Sequence, residues 1–231
     1  MKRLIVYSLV TACAALNSFG TGSIYFANYG TGYRAPVYGE ELWENYWPST
    51  DWGYCRYGNS PSGLPPGNIE YQGELLAGSN YMVAFYAAPG IITDGHDLEL
   101  GGTSTFRTGS NAGLYYGGSG SFNSIPDGYT GPVTCQVRAW NTGGGMYGSW
   151  ESAYDAQFWF IPPGATKLVT IDFASGAAAE RPYFESFNLG WVDNNLEPIP
   201  EPGVVSLLGW LMGLAVVARR WDWAKSKSLC S

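Results

Sequence analysis

The sequence predicts an all-β chain: a single β-sandwich, jelly-roll or immunoglobulin-like, flanked by an N-terminal signal peptide and a C-terminal transmembrane helix. Three observations carry the β reading. Glycine (32) and proline (14) are abundant in 231 residues, so the chain is rich in turns. Aromatic residues make up 16% and charged residues only 13%, which disfavours both a helical bundle and a disordered chain. Short strand-like runs alternate with turn signals along the body.

The body, residues 23–198, reads as one domain. Strand-like runs cover Ser23–Asn28, Asn80–Ala87, Ser104–Thr108, Leu114–Tyr116, Val133–Trp140, Gln157–Ile161, Lys167–Phe173 and Tyr183–Val192. Turn pairs fall at Pro89-Gly90, Asp94-Gly95, Asp127-Gly128 and Pro163-Gly164. Val133, Cys135, Val137 and Ala139 alternate with Thr134, Gln136, Arg138 and Trp140, the period of a half-buried strand. Gly117-Gly118 and Gly143-Gly144-Gly145 read as wide turns between strands; no Gly-Lys-Ser/Thr follows to make a phosphate loop. No stretch of the body has a helical period, and no internal repeat is present.

The net charge is −7. The cations gather at the ends. Residues 23–198 hold six cations (Arg34, Arg56, Arg107, Arg138, Lys167, Arg181) against 17 acids, a net of −11. A body of that sign repels phosphate, so nucleic acid is excluded as a partner.

Both ends read as addresses. Lys2-Arg3, the apolar run Leu4–Leu16 and the small residues Ser18, Gly20 and Gly22 form the three parts of a secretory signal peptide over residues 1–22, with cleavage expected near Gly20 or Gly22. Val10-Thr11-Ala12-Cys13 offers an alternative, a lipobox with Cys13 lipidated. At the other end Pro200-Glu201-Pro202 precedes the apolar run Gly203–Ala218, then Arg219 and Arg220. Sixteen helical residues span about 24 Å, a little under the roughly 30 Å of a hydrocarbon layer. Snorkelling arginines with Trp221 and Trp223 make up the rest. The basic flank places residues 221–231 in the cytoplasm.

Ile199-Pro200-Glu201-Pro202, the short apolar helix and the arginine pair resemble the PEP-CTERM sorting signal, here over residues 199–220. Ile24–Asn28, Leu76–Tyr81, Thr105–Gly109, Gln136–Trp140 and Glu185–Leu189 are similar to runs in exported PEP-CTERM proteins of the Verrucomicrobia type. The resemblance implies an exported protein. Its precursor sits in the inner membrane and is processed by an exosortase, and its mature form lies at the cell surface or outside, often with extracellular polysaccharide. Pro200, Glu201, Pro202, Arg219 and Arg220 are then the sorting residues. The tail Trp221–Ser231 is longer than the family's usual few basic residues.

The candidate chemistry is sparse. Trp43, Tyr46, Trp47, Trp52, Tyr54 and Tyr57 crowd one Gly/Pro/Asn-rich stretch. They read either as a stacking platform for sugar rings, making the chain a carbohydrate-binding module, or as a loop that packs itself down. Cys55 and Cys135 reach the exported body and read either as a disulfide or as two thiols. The lone histidine, His96, in Asp94-Gly95-His96-Asp97-Leu98-Glu99, cannot build a multi-histidine zinc site and reads as a polar turn. A glycosidase would need two carboxylates on one cleft, and among 17 acids the sequence nominates no pair. The expectation is a non-enzyme with no metal and no cofactor.

Overall fold

A computed structural model describes residues 21–41, 53–157, 162–173 and 182–198. The strands, in chain order, are β1 (Thr21–Ala27), β2 (Tyr29–Gly30), β3 (Tyr33–Arg34), β4 (Val37–Tyr38), β5 (Gly78–Pro89), β6 (Glu99–Phe106), β7 (Tyr116–Pro126) and β8 (Gly131–Asn141), then β9 (Gly164–Ala165), β10 (Val169–Phe173) and β11 (Phe187–Asn188). A short helix, α1 (Trp150–Asp155), follows β8, and 3₁₀ turns lie at Gly95–Asp97 and Gly109–Asn111. The described chain is therefore mostly β-strand, as the sequence predicts.

The central sheet runs β10-β8-β5-β6, all antiparallel, with β9 also on β8. β10 pairs with the first half of β8 and β9 with Arg138 and Ala139 in its second half, so two short strands share one edge of a long one. β1 and β7 form a separate antiparallel ribbon, β2–β3 and β4–β11 two small pairs.

β5 forms because Val83-Ala84-Phe85-Tyr86-Ala87-Ala88 is a continuous apolar run, the signature of a strand covered on both faces. Its odd face, Val83, Phe85 and Ala87, lies beside Ala139, Val137 and Cys135 of β8 in register, all fully buried. The β1–β7 ribbon covers this face. Phe26 stacks on Phe85 at 5.3 Å between ring centres, and Phe122 meets Phe85 edge-on at 5.5 Å. Two glycines make room for those rings: a Cβ on Gly117 would overlap Phe26, and one on Gly101 would overlap Phe122.

Gly117-Gly118 is therefore no turn but strand, inside β7. Gly143-Gly144-Gly145 does form the turn expected of it, each residue at positive φ.

The half-buried reading of β8 is corrected by the structure. Thr134, Gln136, Arg138 and Trp140, expected to face water, are at most 3% exposed. A second set of segments covers this face and supplies hydrogen bonds in place of water. Thr134 donates its hydroxyl to Gly90 O (2.8 Å), and Gln136 Nε2 donates to Thr166 O (2.9 Å) and Leu196 O (2.6 Å). Trp140 Nε1 donates to Tyr147 O (3.1 Å). A polar face buried with its partners supplied avoids the penalty of unsatisfied burial.

The absence of helix expected in the body is corrected by α1. Its start is a capping box: Ser149 Oγ accepts from Ser152 N and Ser152 Oγ accepts from Ser149 N, each at 3.2 Å. Trp150 and Ala153 are buried, while Glu151 and Asp155 face water. Six residues are too few to make a readable period.

Buried asparagines tie loops to strands. Asn28 donates to Ala35 O (2.7 Å) and Gly113 O (2.9 Å) and accepts from Tyr115 N (2.8 Å). Asn188 accepts from Arg56 N (2.6 Å) and donates to Leu189 O (2.9 Å).

Glu99 at the start of β6 occupies the edge of β7: its Oε1 accepts from Asn123 N (2.8 Å) and Nδ2 (2.9 Å), its Oε2 from Ser124 N (2.8 Å). Desolvation pushes its pKa up, but these donors outweigh it and hold the carboxyl below its ordinary value. A carboxylate depressed in the folded state stabilises above its unfolded pKa, and that contribution disappears as pH falls through the folded value. Glu99→Gln is expected to cost about 1 kcal/mol at neutral pH, with the gap from the wild type closing in acid. Urea titrations at several pH values check it; a gap independent of pH contradicts the ionic account.

No helix among the described residues is long and apolar enough to cross a membrane. Residues 1–20 of the expected signal peptide and the 203–218 span lie outside them, as does the 158–161 part of the sixth strand-like run, while Thr21 and Gly22, expected in the signal peptide, belong to β1.

Candidate functional site

The covered face of β8 opens at a cleft of about 270 Å³. It is lined by Tyr86 of β5, Arg138 of β8, the 3₁₀ turn with His96 and Leu98, the α1 residues Trp150, Glu151, Tyr154 and Asp155, and Leu196. Five segments distant in sequence thus meet here, each placed for a local reason. The register of β5 on β8 sets Ala84 opposite Arg138 and so brings Tyr86 up on the same face. The Ser149 cap begins α1 where Trp150 can enter the core. Asp94 Oδ1 caps the 3₁₀ turn by accepting from His96 N (2.9 Å).

Arg138 is the centre of the arrangement. It is 3% exposed. Its guanidinium carbon stands 3.8 Å from the centre of the Tyr86 ring and 4.9 Å from that of Trp150, and Trp150 stacks on Tyr154 at 4.8 Å with the rings 17° apart. Arg138 Nε donates to Gln136 Oε1 (2.8 Å), and one terminal nitrogen donates to Gly95 O. The other lies 3.9 Å from Glu151 Oε1, which accepts the Tyr86 hydroxyl at 2.7 Å.

The electrostatics follow from burial and pairing. Burial lowers the Arg138 pKa, opposed by Tyr86, Glu151 and Asp94; a guanidinium stays charged regardless. Burial, reinforced by the hydrogen bond to Glu151, pushes the Tyr86 phenol well up, so it stays a neutral donor. Burial would raise Glu151, but Tyr86, its own backbone N–H, Ser149 and Arg138 together hold it below the ordinary carboxylate range. The cleft therefore presents an ionised Glu151, the exposed Asp155 and His96, an apolar floor of Leu98 and Leu196, and the half-buried Tyr154 ring. Among the described residues Arg138 is the only Lys or Arg lining it, and it is buried, with two of its donors given to Gln136 and Gly95. Such a surface accepts hydrogen bonds from hydroxyl or ammonium donors and packs a small apolar face.

Of the aromatic residues singled out in the sequence, the described Tyr54 and Tyr57 do not line the cleft. Tyr57 is half-buried, its hydroxyl accepts from Glu185 N (3.1 Å), and burial pushes its pKa up to about 12. Tyr54 is 37% exposed and bridges to Trp191. Trp43, Tyr46, Trp47 and Trp52 lie outside the described residues, as do Pro200, Glu201, Pro202, Arg219 and Arg220.

Cys55 and Cys135 are two free buried thiols, so the disulfide alternative is not realised. Cys55 Sγ donates to Asn188 O (3.1 Å) and approaches Ala165 O (3.3 Å). Burial raises both pKa values, that of Cys55 to about 12, so both stay protonated and unreactive at neutral pH.

His96, read as part of a polar turn, is in that turn and also lines the cleft. Arg138 and Glu151 carried no site signal in the sequence; the Ser149/Ser152 spacing that starts α1 is the one local hint. Among the described residues no group of three or more His, Cys, Asp or Glu is placed to hold a metal ion. Compared with family models, with curated proteins and with solved structures, the chain has no match.

Proposed function

We propose that the chain is an exported, non-enzymatic cell-surface or extracellular-matrix protein. Its body is a β-sandwich, and a PEP-CTERM signal cut by an exosortase sorts it. The observation that carries this reading is the order Pro200-Glu201-Pro202, an apolar run to Ala218, then Arg219-Arg220. The proline pair breaks the helix just outside the bilayer, where a processing enzyme reaches the chain, and the arginines halt translocation. The sandwich is supported by the β1–β7 ribbon lying over the central sheet through Phe26, Phe85 and Phe122.

Deleting residues 200–231 is expected to send the body into the periplasm or medium without C-terminal processing. Surface retention equal to the full chain's overturns the sorting model. Thr21 and Gly22 both pair with β7, opposite Pro126 and Phe122, and cleavage after Gly20 keeps that pairing whereas cleavage after Gly22 removes it, which favours the first. N-terminal sequencing of the exported protein then reads Thr21 first.

A second reading is a carbohydrate-binding module that contacts extracellular polysaccharide through Trp43, Tyr46, Trp47, Trp52, Tyr54 and Tyr57. The 37% exposure of Tyr54 favours it, since a stacking platform presents aromatic surface to solvent.

A further inference from the structure

We infer that the cleft between Tyr86, His96, Glu151 and Asp155, whose lining does not include Tyr54 or Tyr57, is a saccharide-binding site and that it selects neutral or amino sugars over acidic ones. The inference rests on the polysaccharide-binding reading and specifies where and what the chain binds.

Size comes first. A cavity of about 270 Å³ lies just under the roughly 300 Å³ at which drug-sized pockets begin, so it takes one sugar ring, not a chain. Chemistry comes second. A pyranose offers several hydroxyl donors and a C–H face. Glu151 and Asp155, one helical turn apart on α1, are acceptor-only groups at the mouth, while Leu98, Leu196 and the Tyr154 ring supply the apolar contact.

The sign of the charge comes third. The cation of the cleft, Arg138, is 3% exposed, hydrogen-bonded to Gln136 and Gly95, set over the Tyr86 ring and paired with Glu151, so it is little available to an incoming anion. Asp155 then sets the field at the mouth, together with an overall charge of −7. A uronate carboxylate is repelled; a hydroxyl or a glucosamine ammonium is welcomed. Preorganisation comes fourth. The Tyr86–Arg138–Trp150–Tyr154 series and the Tyr86–Glu151 hydrogen bond fix the walls before any ligand arrives.

The test is titration calorimetry on the full-length chain in a detergent without a sugar headgroup. The probes are cello-, glucosamine and galacturonate hexamers. The variants are the double change Glu151→Gln with Asp155→Asn, and separately Trp47→Ala. Both acidic positions are solvent-facing, and the amide introduced by Glu151→Gln keeps an acceptor for the Tyr86 hydroxyl, so thermal melts should show the double variant folded.

The expected result is binding of the neutral or glucosamine hexamer about tenfold or more tighter than galacturonate, with that affinity falling about tenfold in the double variant and unchanged in Trp47→Ala. Affinity untouched by the double variant overturns the cleft as the site while leaving the carbohydrate reading standing, the more so if Trp47→Ala abolishes it. Tightest binding to galacturonate overturns the charge argument. No binding to any of the three removes the carbohydrate reading and this inference with it.

Discussion

Phe85→Ala is expected to destabilise the body by about 3–5 kcal/mol. The side chain is fully buried at the junction of β5 with the β1–β7 ribbon. Phe26 stacks on it at 5.3 Å with the rings 14° apart, Phe122 meets it at 73° and 5.5 Å, and Phe184 at 75° and 6.2 Å. Truncation removes the transfer energy of the ring and three aromatic contacts, each worth about 0.5–1.5 kcal/mol beyond area alone. It also leaves a cavity whose walls are held on two different sheets, so the site cannot easily collapse. Against a total stability of about 5–15 kcal/mol for a typical domain, one residue then carries a large share. Phe85→Leu keeps most of the volume and should cost less than half as much. Denaturant titration of both variants is the check. A loss below about 1.5 kcal/mol for the alanine change would mean that the ribbon is not held by this ring.

The parts of the fold that were legible in the sequence are those whose signal is local. β5 announces itself by an apolar run from Val83 to Ala88, and β8 by the Val133–Ala139 alternation. What the alternation conceals is that the polar partners Thr134, Gln136 and Arg138 are also inside. Their acceptors sit far along the chain: Gln136 reaches Thr166 and Leu196, and Arg138 reaches Gly95. No window of sequence contains both ends of those bonds.

β7 was obscured for a related reason. Its glycines look like a turn, yet Gly117 is small to accept Phe26, a residue of another strand. The cleft was the least legible feature, because its wall is assembled from five separated segments and its key carboxylate rides on a helix too short to show a period. The proposed end signals rest on charge, apolar length and proline position read in order along the chain, and lie outside the described residues but for Thr21 and Gly22.

The second large effect is expected at Arg138. Arg138→Met keeps an unbranched apolar stem and removes the guanidinium, and it should cost about 2–4 kcal/mol. The ion pair with Glu151 is not the main reason. At 3.9 Å from a carboxylate whose side chain is 57% exposed, it belongs with surface pairs worth about 0–1 kcal/mol. The greater losses lie underneath. Gln136 Oε1 loses its donor inside the protein and Gly95 O keeps only the Leu98 N–H, and a buried acceptor left unpaired costs about 1–3 kcal/mol. The Tyr86 ring also loses a cation 3.8 Å from its centre, a contact of about 2 kcal/mol when desolvated. Arg138→Lys should do little better, because an ammonium cannot serve Gln136, Gly95 and Glu151 from one planar fork.

Glu151→Gln is the contrasting variant. It removes the charge but keeps an acceptor for the Tyr86 hydroxyl, so its cost should stay near 1 kcal/mol or below, about the worth of a surface pair. Because the loss at Arg138 acts on what the guanidinium holds together, hydrogen exchange should quicken first in residues 95–98 and 149–155, ahead of the Phe85 side of the sheet. If Arg138→Met instead matches the wild type, as apolar replacements of buried ionic groups sometimes do, then the arginine is kept for the shape and charge of the cleft and not for stability.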